Sequence, residues 1–226
     1  MRFQRRSAAT IPHPSTSFRA SLLLVLIIPI QLPDAWLTVA FSNIRPNSHT
    51  FDTTGLKISV DESSSVALHK LQPPMQVRRV KCEGTISALP NVPPDHFETE
   101  NGYDDYPLRL GLVTQGEKRL GWFESIFAPA WLKTLADLDP SKGIDRVQFL
   151  SLAQHRAIGS EREFGRNTLF RDRIVGQINA PGDFTLDEAI LPALPVVAVW
   201  VQTDGDDTLS KFEILIRDLR LSDEPR

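Results

Sequence analysis

Apolar side chains return at every second position along several stretches of this chain, the period of a strand with one face buried. From Val80 through Cys82, Gly84, Ile86 and Ala88 the even positions are apolar or small, while Lys81, Glu83, Thr85 and Ser87 take the odd ones. Leu108, Leu110 and Leu112 repeat the pattern after Pro107, with Arg109 on the opposite face, and Val147 to Leu152 makes a third run. Pro195 to Thr203 is β-branched and apolar almost throughout, which predicts a central strand. A turn at Asp204-Gly205-Asp206-Asp207 follows, and then Phe212, Ile214 and Ile216 alternate with Glu213, Leu215 and Arg217. These last two runs are expected to pair as a C-terminal hairpin.

One helix is expected, within Trp122–Leu138, where Phe123, Phe127, Trp131 and Leu135 recur at helical spacing. Pro129 should start a second short helix there or kink the first. An aromatic stripe of this kind suits a membrane or ligand patch, or a helix that caps the open end of a sandwich. Alternating strands, turn signals and a single helix together predict a mainly β domain, a jelly-roll-like antiparallel β-sandwich with one short helical segment.

The N-terminus changes the picture. Residues 1–20 hold four arginines and no acid, and an apolar run from Leu22 to Leu32 follows, broken by Pro29 and Gln31. A basic flank before a short apolar segment is the order of a secretory signal, and Ala40 and Ser42 fit the small positions of a cleavage site. Residues 1–42 are therefore expected to be a signal peptide or membrane anchor, 43–54 a linker, and 55–226 the sandwich. The protein should then be exported, either periplasmic or anchored to the inner membrane facing the periplasm, and meet the membrane only through its N-terminal segment.

The total charge of −3 is unevenly spread. The first 50 residues carry five arginines against Asp34, a net of +4, so the remaining 176 carry −7. An acidic body excludes nucleic acid as a partner, since phosphates need a basic surface. The single cysteine, Cys82, rules out an internal disulfide, and its apolar parity predicts a buried, inert thiol.

Chemistry is sparse. Gly116-Glu-Lys-Arg-Leu-Gly121 lacks the Lys-Ser/Thr ending of a phosphate loop, and no Gly-x-Ser-x-Gly elbow occurs. Among the histidines, His96 with Glu98 offers two ligands, too few for zinc. The acidic clusters hold more interest: Asp104-Asp105 before the Leu108 strand, and Asp204, Asp206 and Asp207 in the turn. The turn is a fragment of a calcium loop without its closing bidentate glutamate, so Ca²⁺ is the candidate ion there. The alternative is a tight turn in which Asp and Gly serve the backbone.

Asp104-Asp105-Tyr106-Pro107-Leu108-Arg109 and Ala198-Val-Trp-Val-Gln-Thr203, the latter running into Asp204–Thr208, resemble two motifs of a bacterial domain-of-unknown-function family (family 3047). The likeness runs from about Val77 to Leu221 and departs at Cys82, where family members carry tryptophan. It implies an exported β-sandwich similar to carbohydrate-binding jelly rolls and no established activity.

Strand parity nominates a working face. With Leu108/Leu110/Leu112, Val197/Val199/Val201, Cys82/Ile86 and Phe212/Ile214/Ile216 turned to the core, the opposite side presents Arg109, Trp200, Gln202, Lys81, Glu83, Thr85, Glu213 and Arg217. An aromatic plate beside hydrogen-bonding groups suits a sugar ring; the alternative is an ordinary outer face with Trp200 covered by the helix. Two functions follow: a non-catalytic binding module for a glycan or another cell-envelope component, or a hydrolase of envelope polysaccharide using the Asp104/Asp105 and Asp204–Asp207 carboxylates.

Overall fold

The computed structural model describes residues 24–118 and 128–224. Its strands are β1 (Val25–Ile27), β2 (Leu37–Ala40), β3 (Ser48–Asp52), β4 (Gly55–Asp61), β5 (Ser64–Ile86), β6 (Leu108–Lys118), β7 (Ile144–Ala153), β8 (Glu161–Phe164), β9 (Phe170–Gln177), β10 (Gly182–Asp204) and β11 (Lys211–Ser222). The described α-helix, α1 (Ala130–Ala136), is capped by Pro129, which starts it as expected; Phe123 and Phe127 lie outside the described residues. No described helix is long and apolar enough to cross a membrane.

The hydrogen-bonded order is β3-β4-β11-β5-β10-β6-β7-β9-β8, with β1 on β11 and β2 on β5. Two long strands, β5 and β10, hold the architecture together because both bend. In β5, Lys70 pairs with Ala198 and Met75 with Val196, and no ladder partner lies between. Pro73 and Pro74 fall in that gap, and neither has an N–H to donate. In β10 the register slips between Ala189 and Leu194, around Pro192. Beyond the bends the same two strands serve different layers. Thr85 and its neighbours pair with β11 on one side and β10 on the other, whereas Ala67 pairs with β2 and β10. One layer is thus β3-β4-β11 with the distal half of β5 and the proximal half of β10. The other contains β2, the remaining halves, and β6-β7-β9-β8. The protein is a mainly β sandwich, as the alternation predicts; within it β7 and β9 run parallel.

The main core draws on both layers: Leu56, Ile58, Cys82, Ile214 and Ile216 from one, Leu108, Leu110, Leu112, Val199 and Val201 from the other. Cys82 is fully buried and burial raises its thiol pKa, so it is the inert thiol expected. Val197 departs from its predicted parity. A register irregularity between Val196 and Ala198 turns it to the second layer's outer face, where it joins Trp200, Phe149 and Leu135 in a separate cluster.

One expectation is corrected. The last two strands do not form a hairpin: β10 is flanked by β5 and β6, and β11 by β4 and β5, so β5 lies between them. The turn after Asp204 instead carries the chain from one layer to the other. Structured residues also lie before residue 42 and within 43–54. Ile28 and Ile30 are buried in the main core with Trp36, Val39 is buried in the second cluster, and β3 lies within the supposed linker.

Candidate functional site

The nominated working face divides between the two layers. Lys81, Glu83, Thr85, Glu213 and Arg217 stand on the outer face of the first layer, where charges pair in solvent. Lys81 meets Glu83 at 2.7 Å, Arg217 meets Asp183 at 2.8 Å, and Glu213 accepts from Ser59 Oγ at 2.8 Å. No aromatic side chain was nominated among them. Arg109, Trp200 and Gln202 belong to the outer face of the second layer and are buried, with Trp200 only 1% exposed. Period-two parity tells the two sides of a strand apart but not which layer the strand has entered after a bend.

Trp200 is an anchor of packing, not a plate for a ligand. Phe149 and Phe170 meet its ring edge-on at 5.9 and 6.1 Å, Phe41 lies 6.5 Å away, and Trp131 of α1 packs on Phe41 and Phe170. Gly111, directly opposite Trp200 across the ladder, makes room for it: a Cβ there would stand 3.0 Å from both Trp200 Cβ and the Phe149 ring. Trp200 Nε1 donates to Gln202 Oε1, and Gln202 Nε2 donates to Asp204 Oδ1, each at 2.8 Å. The indole's one polar atom is thereby tied into the ion network beside it.

That network contains two of the acidic candidates, Asp104 and Asp204. Arg109 donates through Nη1 to Asp204 at 3.2 Å and through Nη2 to Asp104 at 2.7 Å, and its guanidinium lies 3.8 Å from the Tyr106 ring centroid. Arg162 shares Asp104 at 2.6 Å and approaches Asp172 at 3.6 Å. Asp172, fully buried, also binds Arg156 and accepts from Ser151, while Arg156 Nη1 donates to Tyr106 Oη at 2.7 Å. Three guanidiniums thus balance three carboxylates around one tyrosine. Burial opposes the charge on Arg109, yet Asp104 and Asp204 outweigh it, so its pKa is raised. Burial lifts the Asp204 carboxyl to about 7 against the opposing pull of Arg109.

Asp105 is fully buried and ties the turn down. It accepts from the backbone N–H groups of Asp207 and Thr208, at 3.3 and 2.7 Å, and from Thr208 Oγ1. Asp207 in turn accepts from the N–H of Asp104 at 3.2 Å. Asp206 is half-buried, and burial raises its pKa to about 6. The calcium candidates Asp204, Asp206 and Asp207 do not converge, since Asp204 turns inward to Arg109, Ser64 and Gln202. Among the described residues no group of three His, Cys, Asp or Glu side chains could hold a metal. His96 and Glu98 also part company. His96 bonds to Glu100 at 2.6 Å and stacks on Tyr103, while buried Glu98 accepts from the backbone N–H groups of residues 154–156.

An open concavity lies elsewhere, where the bend of β5 faces the turn after α1. It encloses about 570 Å³. Leu71, Met75, Leu138 and Val197 are buried and form its apolar base; Lys70, Gln72, Gln76, Gln115 and Lys142 supply polar groups. Among the described residues, Asp139 is the single acid of the lining. Its oxygens are engaged by Ser141, Gln115 and the N–H of Lys142, and these bonds hold its carboxyl below the usual range. None of the nominated residues lines this groove. Its signal in the sequence was proline inside a strand pattern, Gln72-Pro73-Pro74, facing a second turn, Asp139-Pro140-Ser141-Lys142.

No family model matches the chain, and no curated protein matches it. Among solved structures, a xylan-binding module aligns over 88% of this chain and 96% of its own, at 14% identity and a TM-score of 0.39. The carbohydrate recognition domain of Emp47p aligns over 89% and 97%, at 9% identity and a TM-score of 0.35. Likenesses this loose bear on neither ligand nor site.

Proposed function

We propose that this protein is a non-catalytic carbohydrate-binding module whose ligand lies in the groove at the bend of β5. The supporting observation is the separation of carboxylates from open space. A glycosidase needs two carboxyl groups flanking a cleft that admits the sugar and, for inversion, a water. Asp104 and Asp204 have an arginine between them, Asp105 is spent on backbone N–H groups, and among the described residues the groove's one carboxylate is the engaged Asp139. What the groove does offer is an apolar base with amide and ammonium groups around it, the composition that takes the C–H faces and hydroxyls of a sugar. Export, carried in this reading by the basic flank and the apolar run from Leu22 to Leu32, would bring the module to envelope glycans.

The test is to run the full chain on a polysaccharide panel by affinity electrophoresis and to assay the same mixtures for new reducing ends. Retardation without new ends is expected. New reducing ends that vanish in Asp104→Asn would establish the hydrolase instead.

A further inference from the structure

We infer that the groove selects an acidic glycan, a chain of uronic acid sugars, over neutral polysaccharide. This deepens the binding-module reading and rests on it. The body of the protein is acidic, net −7 beyond residue 50, yet this concavity is lined by two lysines against one aspartate. That aspartate is occupied by its own turn. Neither Lys70 nor Lys142 pairs with a carboxylate among the described residues; Lys142 makes only a long, 3.4 Å bond to Gln115 Oε1. By contrast, Lys57, Lys81 and Lys211, on the outer face of the first layer, each sit within 4 Å of a glutamate or aspartate. The two lysines of the groove are thus left to meet charge from outside, and complementarity of this kind selects the sign of the ligand.

The backbone argues against the other polyanion, an acidic peptide. An extended peptide gains its affinity by adding a strand to an open edge. The walls here carry Pro73, Pro74, Pro140 and Pro195, which have no N–H, so no continuous ladder is on offer. Side-chain amides of Gln72 and Gln76, both exposed, can instead donate to and accept from hydroxyls, which a sugar has in abundance and an acidic peptide lacks.

Isothermal titration of the full chain would compare an oligogalacturonate, a neutral xylo-oligosaccharide and polyglutamate, with wild type and with Lys70→Glu/Lys142→Glu. The oligogalacturonate should bind tightest, weaken as salt rises, and lose about tenfold or more in affinity with the double variant. Circular dichroism should show that variant folded, since its changes lie at the surface. Equal binding of the neutral oligosaccharide, unaffected by the double variant, would overturn the acid selectivity and leave the binding module standing. Polyglutamate binding as tightly as oligogalacturonate would also overturn it. Failure of every glycan would remove both readings.

Discussion

Replacing Arg109 by alanine should destabilise the protein by an amount that grows with pH. Arg109 is 5% exposed, bonds two aspartates and stacks on Tyr106. Asp104 keeps Arg162 when Arg109 goes, but Asp204 keeps only the neutral donors Ser64 and Gln202. Asp204 is therefore the stranded charge. Breaking a buried pair in this way costs about 3–5 kcal/mol. Burial already places the Asp204 carboxyl at about 7, and without Arg109 it must go higher. A carboxyl whose folded-state pKa is raised stabilises the fold below its unfolded value, and that stability is lost as pH rises through the folded value. Near pH 6 the variant's Asp204 takes up a proton and escapes most of the penalty, leaving a cost of about 2 kcal/mol from lost bonds and packing. Toward pH 8.5 the wild type ionises Asp204 beside Arg109 while the variant cannot, adding up to about 1.4 kcal/mol per pH unit. Urea melts of wild type and Arg109→Ala at pH 6 and 8.5 measure both values. The same pair in an Asp204→Asn background should lose the pH dependence. Arg109→Lys should recover only part of the stability, because one ammonium cannot serve both aspartates with guanidinium geometry. A cost below about 1 kcal/mol at both pH values, or one equal at the two, would refute the argument.

Other perturbations separate the parts of the fold. Trp200→Ala removes a fully buried ring and should cost about 3–5 kcal/mol in the same melts; an unchanged midpoint would return the indole to the surface. A chain begun at Asn43 loses β1, β2 and the burial of Ile28, Ile30, Trp36 and Val39. At about 1.5–3 kcal/mol for each side chain this matches the whole stability of an ordinary domain, so circular dichroism should show it unfolded. A folded, cooperative product would support a leader that ends at residue 42. Glu98→Ala strands backbone N–H groups at 154–156 and should cost about 2–3 kcal/mol by urea melt, whereas loss of a solvated carboxylate would cost almost nothing.

The strands were legible because burial writes itself at period two: Leu108, Leu110 and Leu112, and Phe212, Ile214 and Ile216, face the core as their alternation requires. Strand order was not. Alternation says nothing about neighbours, and β5 separates the two runs read as a hairpin. Alternation put Arg109 on the face opposite three leucines, and its burial against carboxylates comes from the structure alone. Which carboxylates was beyond the sequence: Glu83 and Glu213 share its strand parity but lie on the other layer, while Asp204 is 95 residues away along the chain. The groove escaped notice because it arises from bends in two strands at once, and prolines mark where a strand breaks without marking what the break will face.

Hydrogen exchange on the full chain with and without oligogalacturonate tests the central claim most directly. Binding in the groove predicts added protection of the amides at Leu71, Gln72, Met75 and Gln76 and across Leu138–Lys142, with none at Lys81–Thr85 or Glu213–Arg217. Protection confined to those outer-face strands, with the bend of β5 unchanged, would contradict it.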